Sequence, residues 1–452
     1  MLEGLRVIEM STYVAAPGAG GMLRDWGAEV IKVEPLTGCP MRSFFEGTKS
    51  KLEIVGNPIF SLDNRGKKGM TINTSNEKGA DIVRQLIKDA DIFLTNVRPT
   101  SLEKSKLDHE TLLEINPKLI YCSLSGYGLD GEERDRPGFD IAAFWSRSGM
   151  AHLTQRKGEE PLPIRVAVGD HITSISTVSG ILAAVYERQK TGKGKVVESS
   201  LLRTVIYSIG SDMALQLRFG RVPSTKKRDE QINPIANFFK TKDDRWICLS
   251  PRAGGDWDLP QVARAIGREE WLEDERFNNH HGRRSNSTEF VKAMDEAFSQ
   301  LTLEEWGERL DKEDLIWAPV QNLSEVANDK QAIEAGSFVE IEDPECEEKY
   351  LSLASPVKFH DSDVGPKGPA PLLGEHNKEI LSEMGYSIEE INKLEETGNI
   401  TGKIIPSEII SQREVTQKNS AKALGIEEPK QILFGDLHVH TTFSVSYTHL
   451  RA

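Results

Sequence analysis

The sequence predicts an α/β fold, with a helix-covered parallel sheet in a large domain and a second, smaller α+β domain. Short β-rich apolar segments alternate with helical segments in the first part of the chain, and after about residue 225 the pattern changes to a hairpin followed by helices. The length of 452 residues agrees with this organisation, because it exceeds what one small core needs and indicates two or three domains.

The first strands and helices follow one another closely. The segment LRVIEM at 5–10 is typical of a strand, MLRDWG at 22–27 of a short helix and EVIKVE at 29–34 of a second strand. We expect the small residues of STYVAAPGAGG to be flexible. Helical spacing at 78–90 precedes DIFLTN, and a predicted helix at 109–118 precedes LIYCSLSGYG. Because helices separate the strands, the sheet should be parallel.

A longer helix is predicted from Gly169, with apolar side chains three or four residues apart at Ile172, Ile175, Val178, Leu182 and Val185. The large domain should comprise 1–200 plus 340–400, and the small domain 225–330. In the small domain, NFFKTKDDRWICLS predicts a hairpin and Thr302 to Glu305 a capping box. Segments 201–224 and 331–339 are expected to be linkers, and the polar tail 401–452 cannot bury much of a core alone.

Composition excludes several classes of protein. With 38% hydrophobic and 28% charged residues the chain is not generally disordered, and no uninterrupted apolar run approaches the ~18 residues of a membrane span. The N-terminus lacks a signal pattern, so we expect a cytoplasmic protein without a membrane partner. A net charge of −14 argues against a nucleic-acid partner, although a local basic pocket for a small anion stays open. The four widely spaced cysteines should be reduced.

The pair Gly18 and Gly20 after the first strand suggests a dinucleotide-binding turn. Leu23 occupies the position of the third glycine, however, and Glu34 lies only ~11 residues further on, where that fingerprint places its acid about 20 on. The glycines therefore favour close helix packing over nicotinamide binding.

Asp170 follows a glycine at the predicted start of the long helix. Its spacing alone favours a helix N-cap, since Asp is common there. The alternative is a nucleophile, which the helix dipole would keep ionised and which Gly169 would leave open to a substrate carbonyl.

Over about residues 1–400 the chain resembles the family III CoA-transferases (CaiB/BaiF, formyl-CoA transferase-like), with matching stretches in family order. These are LRVIEMSTYVAAPGAGGMLRDWGAEVIKVEP, LDNRGKKGMTIN, LTNVRP, LIYCSLSGYGLDGEERDRPGFDIAAF, VGDHITSISTVSGILAAVYERQKTGKGKVVESSL and PLLGEHNKEILSEMGYS. Through PGFDIAAFWSRSG the likeness is closer to the branch that acts on phenyllactate and 2-hydroxyisocaproate. The resemblance implies a Rossmann-like large domain and an interlocked homodimer.

By this resemblance, Asp170 is the nucleophile and carrier: it forms a mixed anhydride with the acyl group and then an aspartyl-CoA thioester. Coenzyme A or acyl-CoA is implied as substrate, with no permanently bound cofactor. Carried over position by position, the CoA contacts are Tyr13, Val14, Ala15, Ile72, Asn96, Val97, Arg98, Lys104 and Leu201. Arg98 and Lys104 suit phosphate, although each is equally compatible with a solvated surface position.

Departures from the family pattern bear on the substrate. The family often has lysine at Ser75 and glycine at Thr100, the formyl-CoA enzymes have glutamine at Val14, and their run of glycines is missing between 225 and 265. These differences favour a bulkier acid over oxalate. Phe139, beside Asp140, stands where related racemases have a histidine and cannot shuttle a proton, so racemisation is disfavoured. Phe139 and Asp140 are expected in the substrate pocket. Phe144 and Trp145 suit either that pocket or the core.

The sequence therefore predicts CoA transfer from an acyl-CoA or enoyl-CoA to a free acid, an (R)-2-hydroxy acid with an aryl or branched side chain. Another carboxylate, such as a dicarboxylate or a carnitine-like acid, and 2-methylacyl-CoA racemisation are alternatives within the family. A Rossmann-type oxidoreductase and a non-catalytic CoA- or nucleotide-binding protein are alternatives outside it.

His438 and His440 in FGDLHVHTTFS lie two residues apart, as ligands on one face of a strand would. This segment resembles the opening strand of PHP-type metal-dependent hydrolases. One strand cannot complete such a site, so we expect no metal binding and interpret the tail as a truncated or non-native fusion.

Overall fold

A computed structural model describes residues 1–44, 57–252, 256–342 and 349–401. The chain divides into two compact units. The first combines Met1–His152 and Pro163–Arg221 with the chain from Gly336 onward, and the second combines Leu153–Leu162 with Val222–Ala335.

The first unit contains a six-stranded sheet in the order β3-β2-β1-β4-β5-β6. Its strands are β1 Arg6–Met10, β2 Glu29–Glu34, β3 Lys68–Thr71, β4 Ile92–Thr95, β5 Ile120–Ser125 and β6 Lys195–Ser200. All neighbouring strands are parallel, which confirms the predicted fold class. The strand order reverses between β1 and β4, and the carboxyl ends of strands at such a reversal are where ligands bind in open parallel sheets.

Helices pack on both faces of this sheet. The helices of this part of the first unit are α1 Ala15–Asp25, α2 Pro58–Asn64, α3 Glu77–Ile87, α4 Pro99–Lys104, α5 His109–Ile115, a π-helix Asp140–Ser146, α6 Met150–Thr154, α7 Val168–Thr191, α8 Leu201–Ser208 and α9 Gly210–Phe219, with a 3₁₀ turn at Pro40–Ser43. One apolar cluster contains Ile8, Met70 and Phe93, while Val7 and Ile92 belong to another. This division follows from the strand pleat, which directs successive side chains to opposite faces.

The glycine-rich segment after β1 is helical, so the expectation of a flexible stretch is wrong for AAPGAGG. A Cβ at Gly18 would lie 2.8 Å from Ser174 Oγ, and one at Gly21 would lie 2.8 Å from the carbonyl oxygen of Asp63. Glycine has a low intrinsic helix propensity, but here its missing side chain lets α1 lie directly against α2 and α7. The interpretation of Gly18 and Gly20 as packing residues is confirmed, because a Cβ at Gly20 would overlap the Glu9 carboxylate.

A fully buried ion network lies beneath α1. Glu9 in β1 accepts hydrogen bonds from Lys32 Nζ at 2.8 Å and from Lys67 Nζ at 2.6 Å. Lys67 Nζ also donates to the carbonyl oxygen of Pro17 in α1 at 2.9 Å. Burial disfavours every charge in this group, but the two lysines still hold the pKa of Glu9 below its ordinary value. The network fixes the segment after α2 against α1.

The second unit has an antiparallel sheet, β7-β8-β9, formed by β7 Asn237–Lys240, β8 Trp246–Leu249 and β9 Trp317–Pro319. Its helices are α10 Leu259–Ile266, α11 His280–Ser285, α12 Ser287–Phe298, α13 Leu303–Lys312, α14 Leu323–Ala327 and α15 Lys330–Glu334, with 3₁₀ turns at Arg228–Glu230 and Glu269–Leu272. The predicted hairpin is β7-β8, and the predicted capping box joins Thr302 and Glu305 at the start of α13.

The chain then returns to the first unit through a hairpin, β10 Phe338–Glu342 and β11 Lys349–Leu353, and ends in α16 Asn377–Glu383 and α17 Ile388–Glu396. These last helices lie beside β3. Asn377 Oδ1 accepts a hydrogen bond from the amide of Thr71 at 2.8 Å, and the amide of His376 donates to the carbonyl oxygen of Gly69 at 2.9 Å. Gly398 has a φ of 67°, so the chain leaves α17 through a left-handed glycine.

Two segments expected to be linkers contain regular structure. Residues 201–221 belong to the first unit and contain α8 and α9. Ser200 caps α8, since its hydroxyl accepts a hydrogen bond from the amide of Arg203 at 3.1 Å. Segment 331–339 includes most of α15 and the start of β10. The tail 402–452, with His438 and His440, lies outside the described residues.

The helix α7 is long and apolar enough to cross a membrane by length and composition alone. One of its faces is buried, however, and Ser174 Oγ donates to the carbonyl oxygen of Ala15 in α1 at 2.6 Å. This is the position of a core helix. Cys39, Cys122 and Cys248 are free thiols, and the first two are buried.

Candidate active site

A cavity of about 540 Å³ opens beside the start of α7. Its walls come from the segment after β1, the 3₁₀ turn, α2, the segment from β5 to the π-helix, and the residues before and within α7. They consist of Tyr13, Val14, Met41, Phe44, Ile59, Tyr127, Arg136, Phe139, Asp140, Ile141, Ala142, Ser146, Arg147, Val166, Ala167 and Asp170. Most of these side chains are apolar, so the cavity suits a ligand with an apolar body and one reactive polar end.

The N-terminus of α7 is capped by Asp140 and not by Asp170. The amide of Gly169 donates to both carboxylate oxygens of Asp140 at 3.2 Å, and the amides of Ala167 and Val168 also bond to it. Ala167 is the N-cap residue and has a left-handed φ of 73°, an uncommon conformation for a residue with a side chain. The N-cap interpretation of Asp170 is therefore wrong, and its carboxyl group faces the cavity.

The pKa of Asp170 is raised to about 8, first by burial and then by the nearby carboxyls of Asp140 and Asp63. The expectation that the helix dipole keeps Asp170 ionised is thus not met, because desolvation and like charge outweigh the dipole. Burial also raises the pKa of Asp140 to about 6, although the amides at the start of α7 favour its charged form. Two adjacent carboxyls with separated pKa values are typical of a reactive site.

The site has a third carboxyl group, that of Asp63, which contacts His171, the residue after Asp170. His171 Nε2 lies 3.1 Å from Asp63 Oδ1, and the Asp63 side chain is only 4% exposed. Burial lowers the pKa of His171, but the hydrogen bond and charge of Asp63, followed by the charges of Asp170 and Asp140, raise it overall. Sequence analysis missed this pair, because no local pattern connects residues so far apart.

The segment after β1 is held against β4. Asn96 accepts a hydrogen bond from the amide of Thr12 at 3.0 Å and donates one to the carbonyl oxygen of Thr12 at 2.7 Å. The next residue, Tyr13, has a left-handed φ of 65°. Such backbone strain persists only where surrounding contacts hold it, and here it places Tyr13 and Val14 in the cavity wall at the start of α1.

Phe139 forms an apolar wall beside Asp140. Its ring packs edge to face on Tyr13 with centroids 5.1 Å apart. Phe144, which suited either pocket or core, is buried in a cluster with Leu201 and does not line the cavity.

The structure brings Tyr13, Val14, Phe139, Asp140 and Asp170 together around the cavity. Ala15 lies at the buried start of α1. Ile72 and Leu201 are buried in apolar clusters, so their side chains do not face the cavity. The cavity lining also lacks Asn96, Val97, Arg98 and Lys104.

Two arginines at the cavity were not singled out from the sequence. Arg136 and Arg147 each place the guanidinium carbon 5.7 Å from the centroid of the Tyr127 ring, and both pair with Glu133. This arrangement adds positive charge to an otherwise apolar cavity. Within the described ranges, no group of three or more His, Cys, Asp or Glu residues is placed to hold a metal ion.

Comparisons with known proteins agree with this geometry. The model of CoA-transferase family III matches residues 2–377. The chain is 35% identical to (R)-2-hydroxy-4-methylpentanoate CoA-transferase of Clostridioides difficile, covering 88% of this chain and 98% of that protein. It is 32% identical to cinnamoyl-CoA:phenyllactate CoA-transferase of Clostridium sporogenes, covering 88% of this chain and 97% of that protein. A crystal structure of a CaiB/BaiF family protein from Brucella suis superposes with a TM-score of 0.74 at 28% identity, covering 85% of this chain and 99% of the Brucella chain.

Proposed function

The chain belongs to family III of the CoA-transferases, and from this premise we propose that it transfers CoA reversibly to an (R)-2-hydroxy acid with an aryl or branched side chain, using Asp170 as nucleophile and carrier. The observation that supports this most is the position of Asp170, partly buried in the wall of an apolar cavity of about 540 Å³. The family resemblance identified from the sequence is confirmed.

The substrate class rests on two arguments. Two relatives are named for (R)-2-hydroxy-4-methylpentanoate and for phenyllactate with cinnamoyl-CoA, which are acids with a branched or aryl side chain. The cavity has an apolar surface that can contact such side chains, because Phe44, Ile59 and Phe139 line it together with Asp170. A small polar acid such as oxalate would leave this surface unfilled.

The reaction is written as four exchanges at carbonyl carbons. The Asp170 carboxylate attacks the thioester carbon of the acyl-CoA, and CoA leaves as a thiolate, giving a mixed anhydride. The thiolate attacks the Asp170 carbonyl carbon and releases the first acid, giving an aspartyl-CoA thioester. The second acid then attacks this thioester and displaces the thiolate, which finally attacks the new acyl carbonyl and regenerates the Asp170 carboxylate. No proton is gained or lost over the cycle.

Each exchange passes through a tetrahedral oxyanion that needs hydrogen-bond donors. The first amides of α7 already bond to Asp140, so we assign this role to the amides at the start of α1, next to Val14 in the cavity wall. In the described part of the chain α1 has no side-chain cap hydrogen bond at its N-cap residue, Val14, and its N-terminal amides carry partial positive charge. The apolar walls keep water from the anhydride and the thioester.

CoA binding remains a family-based proposal for Tyr13, Val14, Ala15, Ile72, Asn96, Val97, Arg98, Lys104 and Leu201. Arg98 and Lys104 are exposed at the two ends of α4, where they can meet phosphate groups. Asn96 acts by shaping the segment of Thr12, while Ile72 and Leu201 contribute packing behind the site. CoA enters as a substrate, and the proposed chemistry needs no permanently bound cofactor.

We propose that a second copy of the chain covers an exposed apolar surface on α7, α8 and α9. On this surface Tyr207 is 88% exposed, Leu217 80% and Phe219 64%. Exposed apolar patches of this kind mark protein interfaces. Free thiols and an acyl-CoA substrate agree with an enzyme of the reducing cytoplasm.

The covalent step is tested by incubating the protein with cinnamoyl-CoA or isocaproyl-CoA, adding hydroxylamine and analysing tryptic peptides by mass spectrometry. The sites after Arg147 and Arg165 place Asp140 and Asp170 on different peptides. We expect a hydroxamate on the Asp170 peptide only when acyl-CoA is present. A hydroxamate on the Asp140 peptide, or none with a folded protein that binds CoA, would reject the mechanism.

Acylation should depend on pH. Since the pKa of Asp170 is about 8, its ionised fraction and the single-turnover rate of CoA release should rise about tenfold between pH 7 and pH 9. The measurement is rapid-quench analysis of released CoA at saturating acyl-CoA. A rate that is flat over this interval would show that bound substrate returns the pKa of Asp170 to its ordinary range.

Phe139→Ala should change substrate preference. Loss of the ring that packs on Tyr13 should lower kcat/KM with cinnamoyl-CoA and phenyllactate by about 10- to 100-fold, with little change for a short-chain acid. Phe238→Ala, an exposed position in the second unit, is the matched control. If kcat/KM falls equally for large and small acids, Phe139 stabilises the fold and does not contact the acyl group.

A further inference from the structure

The pair formed by Asp63 and His171 forms or breaks no bond in the proposed reaction, although His171 is the neighbour of Asp170 in the chain. We propose that His171, held by Asp63, is the positive charge that offsets Asp140 and allows Asp170 to be ionised for attack. This inference rests on the proposed function and assigns to the pair a positioning and electrostatic role in the same site.

The pair is assembled by close helix packing. Asp63 lies in α2 and His171 in α7, and α1 lies against both because Gly18 and Gly21 lack side chains. A Cβ at Gly18 would lie 3.3 Å from Asp63 Oδ1, the atom that contacts His171 Nε2 at 3.1 Å. The arrangement is therefore fixed by the backbone of three helices and does not depend on a flexible surface contact.

The charges around Asp170 explain why a cation is needed there. Asp140 faces it from the π-helix and Asp63 from α2, and both raise the pKa of Asp170, while His171 lowers it. Lys67 lies near Asp63, but its ammonium group bonds to Glu9. Among the residues that the structure describes, His171 is thus the cation whose charge acts on the site carboxyls.

The cavity also contains Arg136 and Arg147, but both are paired with Glu133. Neither contributes to the shifted pKa of Asp170. Of these three cations, only His171 lowers the pKa values of Asp140 and Asp170 by its charge.

The buried environment of the Asp63 carboxyl group supports its pairing with His171. Its Oδ2 atom is buried and, in the described part of the chain, has no hydrogen-bond partner, so the interaction of its Oδ1 with His171 is a main compensation for burying this carboxylate. A protonated His171 provides that compensation better than a neutral ring, because a charge-assisted hydrogen bond is the stronger one. Asp63 therefore stabilises the charged form of His171.

The test measures how the acylation of Asp170 depends on pH in His171→Asn and His171→Lys. Without the positive charge, the midpoint of the single-turnover rate should move up by about one pH unit, which makes acylation about tenfold slower at pH 7 while the alkaline plateau is kept. His171→Lys keeps a charge and should hold the midpoint near that of the wild type. Since His171 and Asp170 titrate together, the midpoint belongs to the pair.

Asp63→Asn has two opposed effects, because it removes a carboxyl that raises the pKa of Asp170 and also weakens the positive charge on His171. Its midpoint should therefore move up by less than that of His171→Asn, and it provides a second variant should His171→Asn fold poorly. His360→Asn, an exposed histidine elsewhere in the first unit, is the matched control and should match the wild type. Thermal unfolding of each variant checks that the fold is kept.

The outcomes separate this inference from the proposed function. If the wild type forms no adduct on Asp170, the transferase mechanism itself fails. If the wild type is acylated but folded His171→Asn and Asp63→Asn keep its midpoint, or if His171→Lys shifts as far as His171→Asn, the charge-balancing role is rejected.

Discussion

Asp170→Asn is expected to lower the rate of CoA transfer by at least about 1,000-fold, because the amide has no anionic oxygen to attack the thioester and carry the acyl group. The substitution preserves shape, so acyl-CoA should still bind. The measurements are steady-state transfer between cinnamoyl-CoA and phenyllactate and the hydroxylamine trap.

The same variant should be more stable than the wild type in mildly alkaline solution. The raised pKa of Asp170 means that the folded protein binds more protons than the unfolded chain between about pH 4 and pH 8. Its contribution to stability therefore falls as the pH rises through this window, and the asparagine removes that loss. We expect a gain of about 1–2 kcal/mol at pH 8 by chemical denaturation.

Asp89→Asn provides a control for both measurements. Asp89 is an exposed residue just after α3 in the first unit, and it does not line the cavity. The control should keep wild-type activity. Transfer by Asp170→Asn above about one per cent of the wild-type rate, with no return of the amide to aspartate, contradicts the nucleophile assignment.

Gly169→Ala is expected to impair both stability and catalysis. A Cβ at this position would overlap the Asp140 carboxylate and the ring of Phe144, both of which are buried. We expect a loss of about 1–3 kcal/mol in the free energy of unfolding, typical of overpacking, and at least about a 100-fold loss of activity as α7 moves away from Asp140.

Urea unfolding and the single-turnover rate measure these two effects. Gly210→Ala, at the start of α9, is the control, because a Cβ there would meet open space. If Gly169→Ala keeps both its stability and its rate, the close contact with Asp140 does not position the nucleophile.

Much of the fold could be predicted from local patterns. The strands and the helix α7 follow from hydrophobic periodicity, which needs no knowledge of distant residues. The segment AAPGAGG could not be assigned in this way. Its helix forms because the glycine surfaces fit Asp63 and Ser174, and these partners are distant in the chain.

The site shows the same division. The family resemblance predicts that Asp170 is the nucleophile, whereas its spacing alone favours a helix cap. The actual cap is Asp140, 29 residues before Gly169, and Asp63 is 108 residues before His171. The charge state of Asp170 was also misjudged, because the helix dipole is a local property while burial and the Asp140 carboxyl depend on tertiary structure.

The closure of β3 by the last helices has a consequence for biosynthesis. The amides of Gly69 and Thr71 bond to His376 and Asn377, which are 307 and 306 residues later in the chain. On the ribosome, β3 therefore emerges long before its partners, and the unit that carries Asp170 completes its packing only after the C-terminal helices have been synthesised. Loops of this length make folding slow, so the nascent chain exposes an unfinished sheet edge while the second unit, which is continuous from Val222 to Ala335 apart from a short segment, is already available to fold.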